Sequence, residues 1–172
     1  MAVRAERVLP APPPREAEPG SRRRRRAAVA YQRILVPLVD TADSERAVAV
    51  ACQLGAERGA SVSAVSVVEV PVELPLDAHM TEEEAHAKHV LRDAAAIGDR
   101  YGVAVAPRVL RGRSAGEAIV KEAKRAQSEI IVLWAPRRNR LGSKAPIFGR
   151  TVDYVLKHAP CRVMVASPPP PA

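Results

Sequence analysis

"EIIVLWAPRRNRLGSKAPIFGRTVDYVLKHAPCRVMVAS", residues 129–167, decides the fold. It opens on a short apolar run, 129–134, that fits a buried strand. It closes on a second, Val-rich run, 161–167. Between them "FGRTVDYVLKHAP" (148–160) reads as an amphipathic helix stopped by Pro160. Strand, helix, strand in succession predicts two parallel strands joined by a crossover, with helices covering the sheet.

The same alternation extends back along the chain. "RILVPLV" (33–39) reads as the first strand, followed by a helix over 44–60 with Gly59 near its end. "SVSAVSVVEV" (61–70) is β-branched and reads as a strand. "PVELPLDAH" (71–79) is broken by proline into a loop. Residues 81–102 read as a helix, with Thr81 and Glu84 at capping-box spacing and Gly102 at its end. "VAVAPRVLRG" (103–112) is the third strand, and Pro107 puts it at a sheet edge. A helix over 114–127 follows, with a second capping box in Ser114 and Glu117. Five parallel strands with right-handed crossovers make one α/β domain, a doubly wound sheet of Rossmann-like or flavodoxin-like layering.

Composition agrees with that plan. Of 172 residues 47% are apolar and only 3% aromatic, so the core must be Val, Ile, Leu and Ala. The net charge is +8, but residues 1–30 carry eight Arg against three Glu, leaving the rest mildly basic. Residues 1–29, rich in Pro and Arg, are expected to be a disordered tail, 30–167 the domain, and 168–172 a Pro-rich end. Arg22–Arg26 contain no aromatic residue for base stacking, so no specific nucleic-acid partner is expected. Cys52 and Cys161 form no CxxC pair, and Cys161 reads as a small hydrophobe entering a strand. No apolar run is long enough to span a membrane, and "MAVRAERVLP" lacks a signal-peptide core, so the cytoplasm is the expected location.

In such sheets ligands bind beyond the carboxyl ends of the strands, where the strand order reverses. The expected walls are "PLVDT" (37–41) and the loop that starts at Ala135. That loop ends at a helix start, Phe148 to Thr151, where free N–H groups and the positive dipole end attract an anion. Arg137, Arg138, Arg140, Lys144 and Arg150 add charge there. An anionic ligand is thus expected, against the plainer reading of a solvated basic loop. Glu82, His86 and His89 share one helix face. Metal binding and a simple polar face are both compatible with that spacing, and the polar face is favoured. His158 reads as a helix-end residue rather than a general base, and Ser44 with Glu45 as a helix start. There is no GxSxG elbow, Walker motif or metal-ligand cluster in the sequence.

The stretches "ILVPLVDTADSERAVAVA", "VSVVEVP", "GRSAGEAIV", "EIIVLW" and "FGRTVDYVLKHAPCRVMVA" resemble the universal stress protein (UspA) family over about 31–167. The resemblance implies strand order 3-2-1-4-5 and a homodimer through the last strand. "PVELPLDAHM" and the segment 135–165 are similar to the cytosolic domain of some bacterial amino-acid permeases. Nucleotide-binding members carry Gly-x2-Gly-x9-Gly-[Ser/Thr] after the fourth strand. Counted back from Gly149, the first two positions fall on Pro136 and Asn139, and the hydroxyl position on Arg150, with Thr151 next. The acid expected two residues after Pro37 falls on Val39, and Asp40 follows it. The resemblance therefore implies a nucleotide wall of Pro37, Leu38, Val39, Asp40 and Val67. Facing it would be Arg137, Arg138, Asn139, Gly149, Arg150 and Thr151. ATP or another adenine nucleotide is the implied cofactor, though three of four signature positions are changed. Three readings follow: a non-catalytic regulatory module with an unidentified protein partner, a true nucleotide-binding member with slow ATPase activity, or a stand-alone permease-type domain acting on a transporter.

Overall fold

A computed structural model describes residues 31–38, 41–56, 59–135 and 148–167. The elements run β1 (Arg33–Pro37), α1 (Thr41–Ala56), β2 (Ser61–Glu69), α2 (Thr81–Arg100), β3 (Val105–Gly112), α3 (Ala115–Arg125), β4 (Ile130–Trp134), α4 (Arg150–His158) and β5 (Arg162–Ala166). The five strands form one parallel sheet in the order β3-β2-β1-β4-β5. That is the expected order. Pro107 lies in an edge strand, where its missing N–H breaks no central ladder.

Side-chain alternation sorts the core into two layers. Ile34, Val36, Val62, Ala64, Ile130 and Val132 pack on one face with Ala47 and Val48 of α1 and Leu91 and Ala94 of α2. Leu35, Val65, Ile131 and Leu133 pack on the other with Ile119 and Ala123 of α3 and Val152 and Val155 of α4. Helices α1 and α2 therefore cover one face, and α3 and α4 the other. Fully burying one such Ile or Leu side chain stabilises by about 1.5–3 kcal/mol. On the second face α3 and α4 lie so close that a Cβ at Gly116 would stand 2.8 Å from the Tyr154 ring. The start of α3 is thereby held against the body of α4.

The local start signals are corrected in three places. Helix α1 begins at Thr41, not Ser44, and Ser44 is buried inside it. The capping box of Thr81 and Glu84 does not form: Met80 is the N-cap, and the Glu84 carboxylate is drawn off by Arg111 of β3. Ser114 does occupy the N-cap of α3, but its side chain caps nothing. Glu69, at the end of β2, accepts the Ala115 N–H at 2.6 Å instead. A carboxylate on another element meets the orphan donor more directly than the local hydroxyl does.

Candidate functional site

The parallel sheet aims the carboxyl ends of β1 and β2 at one rim, and there the described residues form an open cleft of about 510 Å³. Pro37 and Leu38 come from β1 and its exit, Val67 from β2, and Thr151 from the first turn of α4. These four sequence-predicted residues line one cleft. Arg150 lies beside it, in a hollow of about 360 Å³ with Arg113, Ser114, Thr151 and Tyr154. Gly149 is the N-cap of α4 at φ 90° and ψ 165°. Its conformation turns the chain into the helix, whose first residues, Arg150 and Thr151, border this region. Val39, Asp40, Arg137, Arg138 and Asn139 lie outside the described residues, as do Arg140 and Lys144.

Several lining groups went unnoticed in the sequence. Glu69 borders both the cleft and the hollow. Ser66, only 8% exposed, lies on the β2 side of the cleft. Glu82, Glu83 and His86, from the first two turns of α2, form the wall opposite α4. The spacing of Glu82 and His86 on one helix face was visible in the sequence, but what that face borders was not. His86 also borders a smaller hollow with His89 and Asp93, which stand 3.5 Å apart. Among the described residues no three His, Cys, Asp or Glu groups approach closely enough to hold a metal ion.

The loop between β2 and α2 forms a lip on this rim. Arg111 donates to the carbonyls of Leu76 (3.0 Å) and Ala78, and to Glu84. Arg113 donates to the carbonyls of Val70 (3.1 Å) and Pro71. The Arg111 hydrogen bond holds the Glu84 carboxyl below the ordinary glutamate range, against desolvation, with the Met80 amide and the nearby Arg111 and Lys88 charges adding to the lowering. His158 is remote from the cleft, stacked on Tyr154 with centroids 4.1 Å apart at the far end of α4. Cys161 is half-buried among apolar side chains, and that burial pushes its thiol up, away from reactivity. No helix among the described residues is long and apolar enough to cross a membrane.

The family model described as the universal stress protein family matches residues 30–167. A universal stress protein from Archaeoglobus fulgidus superposes with a TM-score of 0.66 at 23% identity, covering 78% of this chain and 98% of its own. The universal stress protein UspA from Lactobacillus plantarum gives 0.63 at 25% identity, covering 80% and 99%. The Archaeoglobus fulgidus protein in complex with dAMP gives 0.60 at 21% identity, covering 79% and 98%. Comparison with curated protein sequences gave no match.

Proposed function

The chain belongs to the universal stress protein family, and from that premise we propose that it is a non-catalytic regulatory module that binds a nucleotide weakly. The observation that carries this reading is the meeting of Pro37, Leu38, Val67 and Thr151 in one cleft at the carboxyl ends of the strands. A relative of the same fold is known in complex with dAMP. In this chain a base and sugar would lie over Leu38 and Val67, with a phosphate near Gly149, Arg150 and Thr151. Arg137 and Arg138 would add charge, with Asn139, Val39 and Asp40 completing the walls.

A triphosphate is the poorer guest. Pro136 removes a donor where the family signature has glycine, and Arg150 stands at the hydroxyl position. Arginine can grip an anion in place of lost backbone donors, but an exposed grip of that kind is screened by salt. The acids Glu69, Glu82 and Glu83 on the cleft also oppose added negative charge. The module acts through a protein partner, dimerises through β5, resides in the cytoplasm and carries the tails 1–29 and 168–172 outside its domain.

Calorimetry on the purified full chain should show weak ATP affinity at low salt that fades as salt rises. Changing Arg138 and Arg150 together to Ala should abolish it, since a hydrogen bond to a charged group contributes about 1.5–3 kcal/mol. Tight binding that resists salt would sink this reading, and nucleotide turnover by the purified protein would make it an enzyme instead.

A further inference from the structure

The lip that joins β2 to α2 carries more apolar surface than a solvated loop needs. Val72 is 81% exposed, and Leu74 and Leu76 are exposed beside it, interleaved with Glu73 and Asp77. Pro71 and Pro75 restrict the backbone, and the Leu74 and Ala78 N–H groups close turns on their carbonyls at 3.1 and 3.0 Å. Arg113 holds the start of the lip through the Val70 and Pro71 carbonyls, and Arg111 holds its end through those of Leu76 and Ala78. The apolar side chains are thus displayed on a fixed backbone, and clustered exposed apolar groups mark interaction surfaces. Further along α2 an apolar groove of about 580 Å³ runs between that helix and the edge strand β3. Leu91, Ala95, Pro107 and Val109 line it, together with the exposed Lys88 and Arg92. Lip and groove are contiguous. Arg111, two residues after Val109 on β3, bonds the lip and also Glu84, which lies four residues before Lys88 on α2.

We infer that the lip of one copy of this chain docks in the α2–β3 groove of a second copy, a contact separate from pairing through β5. Within one chain the lip does not fill its own groove, because Arg111 and Arg113 anchor both its ends and its apolar side chains stay exposed. Between copies apolar surface meets apolar surface, and the signs match. Glu73 and Asp77 accompany the lip, and Lys88 and Arg92 accompany the groove. A two-fold axis near the Arg111–Glu84 pair brings each lip over the other copy's groove, so one isologous contact uses both surfaces twice. Pro107 leaves β3 one backbone donor short, which disfavours adding a strand there and leaves the side-chain groove as the docking feature. A groove of this volume takes only a few side chains. The contact is therefore small, and copies associate through it only as concentration rises.

Sedimentation velocity on the full chain over a rising concentration series tests this, read as the climb in mass above the dilute value. The natural chain should show that climb. Lys88→Glu/Arg92→Glu makes both surfaces acidic, and Glu73→Lys/Asp77→Lys makes both basic, so each variant alone should lose it. An equimolar mixture of the two variants should regain it, because each lip then meets a groove of opposite sign. Pairing through β5 involves none of these positions and cannot produce that recovery. All four side chains are exposed, so each variant should unfold at the temperature of the natural chain, a check made on the same samples. Val72→Ser, which removes apolar area and no charge, should lessen the climb by itself. The proposal is overturned if the natural chain keeps its dilute mass, if the swapped variants climb as it does, or if mixing them restores nothing.

Discussion

At the scale of single residues, Gly149 carries the most consequence. Its φ of 90° and ψ of 165° belong to a region that only glycine occupies without strain. A Cβ there would meet no neighbouring atom within 4 Å, so the requirement is one of backbone conformation and not of space. Gly149→Ala should cost about 1–3 kcal/mol of stability, read as a lower urea midpoint. It should also weaken phosphate binding, because this turn sets the start of α4, where Arg150 and Thr151 border the cleft and its adjoining hollow. An unchanged midpoint would mean that the α4 start relaxes to another turn. Gly149 was singled out in the sequence through the family signature, yet nothing local showed that it would be the N-cap. Glu69 was less legible still. It satisfies the Ala115 amide from 46 residues away, a contact that exists only once β2 and α3 are neighbours.

At the scale of elements, the sequence reads well where periodicity speaks and poorly where helix ends are settled by other elements. All five strands and four helices lie where alternation and Gly or Pro punctuation put them, with ends shifted by a few residues. The start of α2 is the instructive miss. Thr81 and Glu84 have capping-box spacing, but Arg111 arrives from β3, 27 residues on, and takes the carboxylate. The charged partner acts on that carboxylate more strongly than the Met80 amide, which also hydrogen-bonds it. The consequence is pH-dependent. The folded-state pKa of Glu84 is depressed, so its contribution is full above the unfolded value and is lost as pH falls through the folded one. Glu84→Gln should therefore be less stable than the natural chain near neutral pH. The gap should begin to narrow at about pH 4, where the unfolded glutamate protonates first, and close at lower pH as the folded carboxyl takes up its proton. Urea midpoints of both proteins across that range decide it, and a gap that persists in acid would show that the pairing contributes nothing through charge.

At the scale of the whole molecule, the edge of the sheet raises the remaining question. The sheet order was implied by the family resemblance, and the buried core by Val, Ile and Leu runs that only a doubly covered sheet can hide. What covers β5 was implied by the resemblance and not by the residues themselves, because edge pairing depends on a surface no single chain encodes locally. The Ala135 N–H donates to the Ala166 carbonyl at 3.0 Å, in a register that pairs Trp134 with Ala166. In a parallel ladder the residues that bond the neighbour alternate. Ala166, Met164 and Arg162 therefore face β4, and Val163 and Val165 turn their N–H and C=O groups to the outer edge. No described strand pairs there, and the strand is only half-buried, unlike β4 beside it. An edge of this composition is a liability unless it is covered, and a second copy pairing through β5 would cover it. Val163→Pro separates that role from folding, since it removes a donor aimed at the edge while sparing the bonds to β4. In light scattering the natural chain should have the mass of a dimer and the variant that of a monomer, with its secondary structure retained by circular dichroism. A folded variant that remains a dimer would place the interface elsewhere on the surface.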